Sequence, residues 1–295
     1  MSRRHELERH RHSLGEIREI MNAMKTLAYM ETRKVARFLN AQQAVVDNIE
    51  AAAADFITFH SDALPETETE IPVYLLIGTE RGFCGDINQS LLRQFEAAQQ
   101  HTAPGVTARL LAVGHKLHTL LQDDGRVSAF IDGTNVAEEI DTVLEQVVHE
   151  LVSLQSQLGA LTLYAFYHGG ENGIVMNRLM PPFQTLHHTE ISYAHPPVLN
   201  LSPADFLLEL TDHYLFAALN EMLYSSLMAE NDRRVSHLEG AVQHLDDESA
   251  TLLRKGNALR QEEITEEIEV ILLSADSLLT DVKKRTIQET SNRAE

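Results

Sequence analysis

The sequence predicts an α/β domain set between two long helices that pair as an antiparallel coiled coil. Proline carries the first argument. All eight prolines lie between Pro65 and Pro203, and since proline breaks a helix interior, both flanks are free to run as helices. Glycine follows the same division: only Gly15 precedes Gly78, and only Gly240 and Gly256 follow Pro203. The third observation is periodicity. The flanks repeat apolar residues at heptad spacing, while the middle alternates short apolar runs with amphipathic segments. The division predicted is a coiled-coil helix over 1–62, a Rossmann-like α/β domain over 70–200 and a longer coiled-coil helix over 202–295.

Stepping by 3 and 4 from Leu14 reaches Ile17, Met21, Met24, Ala28, Glu31, Val35, Phe38, Gln42, Val45, Ile49, Ala52, Phe56 and Phe59, and twelve of these fourteen positions are apolar. A helix from residue 3 to about 60 would be about 85 Å long, too long for an ordinary surface helix. Residues 61–70 read as an acidic, Thr-rich linker. Val73–Ile77 is then a continuous apolar run suited to a buried parallel strand, followed by a turn and a helix from Ile87 to about Gln100. Strands follow at 108–113, 127–131 and 161–167, with helices at 115–123 and about 135–158. His168–Gly173 reads as a hairpin turn returning through a strand from Ile174 to Leu179, and 184–201 as a loop or edge strand. Ser202-Pro203 supplies an N-cap hydroxyl and a proline at the first helical position. Beyond it Leu238, Leu245, Leu252 and Leu259 form one seam, and Ile264, Ile268, Ile271, Ala275, Leu278 and Val282 another. At about 130 Å this helix needs a partner, and the N-terminal helix supplies it.

Composition removes several function classes. A net charge of -20 argues against general nucleic-acid binding, which needs clustered Lys and Arg. The first 40 residues are the exception, with nine Lys/Arg against five Glu. The single cysteine, Cys84, excludes an intramolecular disulfide and points to a reducing compartment. No apolar run reaches the length that spans a bilayer. The N-terminus lacks the apolar segment of a secretory signal, and its glutamates count against an organelle transit peptide.

No catalytic constellation emerges, and no cofactor or metal is expected. The first strand-to-helix turn, Gly78-Thr-Glu-Arg-Gly82-Phe-Cys-Gly85-Asp-Ile-Asn88, matches neither G-x-G-x-x-G nor the P-loop, and Glu80 and Asp86 would repel a phosphate. A structural turn is the better reading. Cys84 reads as a small buried residue, since no motif places a base beside it. The fifteen histidines form no recognisable metal spacing. His168-Gly-Gly has the look of an oxyanion loop but lacks a G-x-S-x-G elbow. Gly256 and Asn257 mark either a close approach of another surface or a tolerated flaw.

Three segments then carry a resemblance. Ile20-Met-Asn-Ala-Met24-Lys25-Thr-Leu-Ala28 is similar to I-T-x-A-M-x-x-V-A, the 78–88 turn to S-D-R-G-L-C-G-G-L-N, and Asn257-Ala-Leu-Arg260-Gln261-Glu-Glu-Ile264-Thr265-Glu-Glu-Ile268 to N-x-x-R-Q-x-x-I-T-x-E-L. Glu230-x-x-x-Arg234-Val235 stands for E-x-x-x-R-M. In this order and at both ends and the middle, the chain resembles the gamma subunit of F-type ATP synthases. Asp86 for glycine, Gly256 for tyrosine, His237, His244 and the acidic 246–248 patch are departures that suggest a divergent branch, such as an alternative rotary ATPase.

The resemblance implies a central rotor shaft without a catalytic site, turning inside a hexamer of alpha and beta subunits. Met24, Lys25, Arg234, Arg260, Gln261 and Thr265 would face mobile beta-subunit loops. The tip from Ile268 onward would turn in an apolar bearing. Gly82, Gly85 and Asn88 would shape the turn of the foot domain, which would contact the epsilon subunit and the ring of c subunits. It also implies a peripheral place on the cytoplasmic side of a bacterial plasma membrane, with proton or sodium ion as the coupled ion. Two other classes compete: a nucleotide-binding enzyme with a helical dimerisation arm, disfavoured by the missing phosphate loop, and a coiled-coil adaptor or tether.

Overall fold

The computed structural model describes residues 3–64, 71–99, 108–169, 173–184 and 195–291, with side chains described as far as residue 275. In chain order the elements are α1 (Arg3–Phe59), β1 (Ile71–Ile77), α2 (Ile87–Gln99), β2 (Arg109–Val113), α3 (His115–Leu121), β3 (Val127–Ile131), α4 (Ile140–Leu158), β4 (Leu161–His168), β5 (Ile174–Met180) and α5 (Pro203–Ser291). They form two compact units, one of Met24–Leu238 and one of Met1–Ala23 with Glu239–Glu295. Part of the linker (65–70), of the hairpin turn (170–172) and of the 184–201 stretch (185–194) lies outside the described residues.

Within Met24–Leu238 the sheet runs β3-β2-β1-β4-β5. The first four strands are parallel and β5 returns antiparallel to β4. Because side chains alternate across a strand, each strand feeds two cores. Val73, Leu75 and Ile77 of β1 join α4 and the helix pair, among them Val35, Phe56, Leu144, Leu219 and Met222. Tyr74 and Leu76 join Leu91 and Phe95 of α2 and Leu117 of α3. Burial on both faces explains why β1 reads as a continuous apolar run rather than an alternating one. The helix expected over about 135–158 is a 3₁₀ turn, Ala137–Glu139, followed by α4.

In this unit α1 and α5 run antiparallel: Phe38 stacks on Tyr224 at 5.7 Å and Phe56 meets Phe206 at 4.9 Å. The pairing follows the sequence, but the residues in the seam differ from a strict heptad. The buried line runs Ala28, Val35, Leu39, Val46, Ala53, Ile57, whereas Phe38 and Val45 are 45% and 44% exposed. From Ala28 to Ile57 that line makes about eight turns at 3.6 residues each, the period of a straight helix. A 3.5 repeat drifts away from it by about 20° per heptad. Residues of α1, α4, α5 and the sheet share one apolar cluster. At the start of α5 the expected cap is present: Ser202 Oγ accepts from Asp205 N (3.2 Å) and donates to Asp205 Oδ2 (2.6 Å).

The second unit pairs the first turns of α1 with the later part of α5, also antiparallel. Arg18 binds Asp246 through two hydrogen bonds, and Arg4 reaches Glu8 and, at 3.6 Å, Glu263. Leu14, Val242 and Leu252 are buried. Farther along α5, Ile264, Ile268 and Ile271 are exposed, while Leu278 and Val282 lie beyond the described side chains.

Candidate functional site

The turn after β1 is held by its own residues. A Cβ at Gly78 would meet Asn88 Oδ1 at 2.6 Å and Leu117 Cβ at 2.7 Å, so only glycine fits. Asn88 is buried, accepts from Thr79 N (3.0 Å) and donates to Thr79 Oγ1 (2.8 Å). Phe83 and Gly85 both take left-handed φ, 64° and 66°. Such backbone is costly for a side chain like that of Phe83, which stands 47% exposed. A Cβ built at Gly82 would meet the Cε of Lys116 at 3.8 Å, an ordinary contact. Between them Cys84 is buried, its thiol directed at the carbonyls of Arg81 and Gly82. Burial pushes that thiol up to about 11, so it stays protonated and unreactive near neutrality. The turn is structural.

At the carboxyl ends of the parallel strands, where a doubly wound sheet would receive a ligand, this chain places its own carboxylates. Glu230 on α5 accepts from the backbone N–H groups of Glu80 (3.1 Å) and Arg81 (3.2 Å). Glu80 in turn accepts from His115 N at 2.9 Å and Gly133 N at 2.7 Å. Glu31 on α1 accepts from Ala137 N at 2.7 Å. A phosphate approaching this rim would meet negative charge on donors already in use. The same bonds tie both long helices to the sheet.

Arg234 completes the arrangement. It is 5% exposed, and its guanidinium bonds Glu230, Asn231 Oδ1 (2.8 Å) and Gly82 O (3.3 Å). Burial pushes the Glu230 carboxyl up, while Arg234 and the two backbone donors pull it back. His168, at the end of β4, donates Nε2–H to Ile87 O (3.1 Å), and its own carbonyl accepts from Ser225 (3.1 Å). Burial lowers its pKa. It is a neutral brace, not part of an oxyanion loop.

Two of the motif residues come together. Met24 and Arg234 line one cavity of about 210 Å³ with Leu27, Arg81, Asn135 and Asn231. Lys25, half-buried, lies next to Met24 on α1. Arg260, Gln261, Thr265 and Ile268 belong to the other unit, all exposed on α5. Thr265 Oγ1 bonds back to Gln261 O (2.9 Å). Arg260 borders a shallow cleft with Arg4, Arg11, Gly256 and Asn257, and among the described residues nothing beyond the adjoining helix backbone lies within 4 Å of a Cβ built at Gly256. Among the described residues no group of three or more His, Cys, Asp or Glu could hold a metal ion, and no helix is long and apolar enough to cross a membrane.

Along the chain Glu80 reads only as a charge that repels phosphate, and Glu31 as one of two polar positions in an apolar seam. Both are rim acceptors. The spacing Glu230-x-x-x-Arg234 was the one visible trace, since residues four apart share a helix face.

A family model described as ATP synthase matches residues 3–278. An ATP synthase gamma chain from Clostridium botulinum (strain Langeland) is 22% identical over 274 residues, covering 90% of this chain and 94% of that one. A gamma chain from Rickettsia prowazekii is 20% identical over 281 residues, covering 90% and 96%. Among solved structures, a chain of the Euglena gracilis mitochondrial ATP synthase, in a structure of its OSCP, F1 and c-ring, superposes with a TM-score of 0.59 at 14% identity, covering 93% of this chain and 94% of that one. A chain from the central stalk and c-ring of the Tetrahymena thermophila enzyme gives 0.53 at 17% identity, covering 75% and 99%.

Proposed function

This chain belongs to the ATP synthase gamma-chain family, and on that footing we propose that it is the central rotor shaft of an F-type ATP synthase. Its α1–α5 pair would turn inside an alpha/beta hexamer that carries the catalytic sites. Its α/β body would form the foot, contacting an epsilon subunit and a ring of c subunits. The chain itself would be non-catalytic, held peripherally on the cytoplasmic face of a bacterial plasma membrane through the complex. The observation that carries this reading is the family match from residue 3 to residue 278, which takes in both helices and the body between them. The carboxylate-filled rim supports it as well: a sheet that keys its crevice to two helices is suited to transmitting force and unsuited to binding nucleotide.

Coupling in such a shaft is differential binding, each angle stabilising one set of catalytic-subunit conformations. Arg260, Gln261, Thr265, Met24 and Lys25 would make the changing contacts with beta-subunit loops. The exposed Ile268 and Ile271 face would run against an apolar bearing. Arg234, being spent on Glu230, would act through the shape of the cavity it shares with Met24.

The test is ATP hydrolysis by the matching alpha and beta subunits, purified with and without this chain. One copy per hexamer and a raised turnover are expected. A chain that neither binds nor stimulates overturns the reading in favour of a coiled-coil adaptor. Within the complex, Arg260→Ala is expected to cut ion pumping per ATP several-fold while leaving the melting temperature unchanged, because the side chain is exposed. Unchanged pumping removes Arg260 from the contact set.

A further inference from the structure

In the unit of Met1–Ala23 with Glu239–Glu295, α1 carries Arg4, Arg11 and Arg18 on one face, each seven residues from the next. The outer two close on carboxylates of α5. Arg18 binds Asp246 through two hydrogen bonds, and Arg4 lies 3.6 Å from Glu263. Arg11 lies midway between them on α1, and the midpoint of Asp246 and Glu263 on α5 falls at Arg254 and Lys255. Where the flanking pairs would place an acid, this register therefore offers two more cations. Arg254 turns back on its own helix, to Ala250 O and Thr251 Oγ1. Arg11 has no hydrogen bond or ion pair among the described residues, and neither has Arg260.

Between the helices at this level is the cleft of about 90 Å³ bordered by Arg4, Arg11, Arg260 and Asn257. Leu7 and Leu252 add apolar wall. Glu8 borders it too, and is already engaged by Arg4 Nε at 3.1 Å. Gly256 forms part of the wall. Glycine is costly inside a helix, and no close approach among the described residues explains it here. What the missing side chain does is leave the cleft open.

We propose that this cleft binds a small tetrahedral oxyanion, inorganic phosphate, between the guanidinium groups of Arg11 and Arg260. The size suits it. About 90 Å³ is several times the roughly 10–15 Å³ that one water needs, and far below the roughly 300 Å³ at which cofactor-sized pockets begin. Guanidinium presents paired N–H donors that match phosphate oxygens. Both arginines stand unpaired, so a bound anion gains their field without breaking an existing ion pair. A carboxylate on a partner loop must bring its own chain through the mouth, whereas a free tetrahedral ion can face Arg11, Arg260 and Asn257 at once. Bound there, it bridges α1 to α5 at a level where their own charges do not. That such a bridge would stiffen a shaft whose partners release phosphate rests on the proposed function; the site itself does not.

The experiment is titration of the full chain with sodium phosphate at neutral pH and low ionic strength. It is read by NMR at the Nε–H groups of Arg11 and Arg260 and at the Gly256 amide. A saturable one-site shift is expected at all three, and none with sodium chloride at matched ionic strength. Arg11→Ala and Arg260→Ala should each weaken binding about three- to fivefold, the upper range for an exposed charge pair. Gly256→Tyr should abolish it, the ring filling the cleft, without lowering the melting temperature, because tyrosine is the better helix former. Binding that survives Gly256→Tyr, or is indifferent to both arginine changes, or a shift that chloride reproduces, overturns the site. Acetate binding as tightly as phosphate assigns the cleft to a partner's carboxylate and overturns the phosphate reading as well. No partner subunit is present, so none of these results touches the ATP hydrolysis test of the shaft, and the two failures are distinguishable.

Discussion

Arg234→Ala is expected to destabilise the Met24–Leu238 unit by about 3–5 kcal/mol, the cost of removing one partner of a buried ion pair. The guanidinium is 5% exposed and is the only cation bonded to Glu230 among the described residues. Without it the Glu230 carboxylate stays buried, held only by the N–H groups of Glu80 and Arg81. Burial already pushes that carboxyl toward protonation, so the variant should take up a proton there. A neutral carboxyl accepts hydrogen bonds less strongly, and the turn should come free of α5. Urea titration reads the loss. Faster amide exchange at Glu80 and Arg81, with little change at Leu91 or Phe95, reads the mechanism. The double change Glu230→Gln with Arg234→Met removes both charges and should cost less than Arg234→Ala alone. A single variant within about 1 kcal/mol of wild type, the range of an exposed pair, sinks the assignment.

Gly114→Ala should cost about 3 kcal/mol or more, because two separate penalties coincide. The residue has a φ of 107°, which L side chains rarely adopt, and a Cβ there would sit 2.7 Å from the Thr79 carbonyl oxygen. That oxygen cannot retreat cheaply, since it accepts from Lys116 N at 3.0 Å. Gly85→Ala is the control: φ is 66° with open space around it, so only the left-handed penalty of about 1–2 kcal/mol applies. Equal losses for the two, measured by denaturant titration, would show that the close contact at Thr79 relaxes without cost.

Much of this molecule is legible along the chain because its signals are local. Proline and glycine act within a turn or two of themselves, so their confinement to the middle marks where the long helices are. The buried parallel strand β1 shows as an unbroken apolar run since each of its faces meets a core. The cap at Ser202 and the turn around Asn88 are likewise set by neighbours in sequence. Motif spacing at both ends and the middle carried the family.

Tertiary structure decided what depends on partners far apart in the chain. A heptad count places Phe38 and Val45 in the seam, but the folded unit buries the straight-helix line through Leu39 and Val46. Glu31 reads as a polar position in an apolar seam, Glu80 as a charge that repels phosphate and Glu230 as one end of a motif, because nothing adjacent in sequence shows which backbone N–H each will meet. Those donors are 106, 35 and 53, and 150 and 149 positions away. Arg234 reads as a solvated contact residue by motif, and becomes a buried clamp only when the β1 turn folds onto α5. Local periodicity therefore determined the elements and their order. Burial and charge neutralisation, which act between segments the chain brings together, decided which polar residues hold the body to the helices.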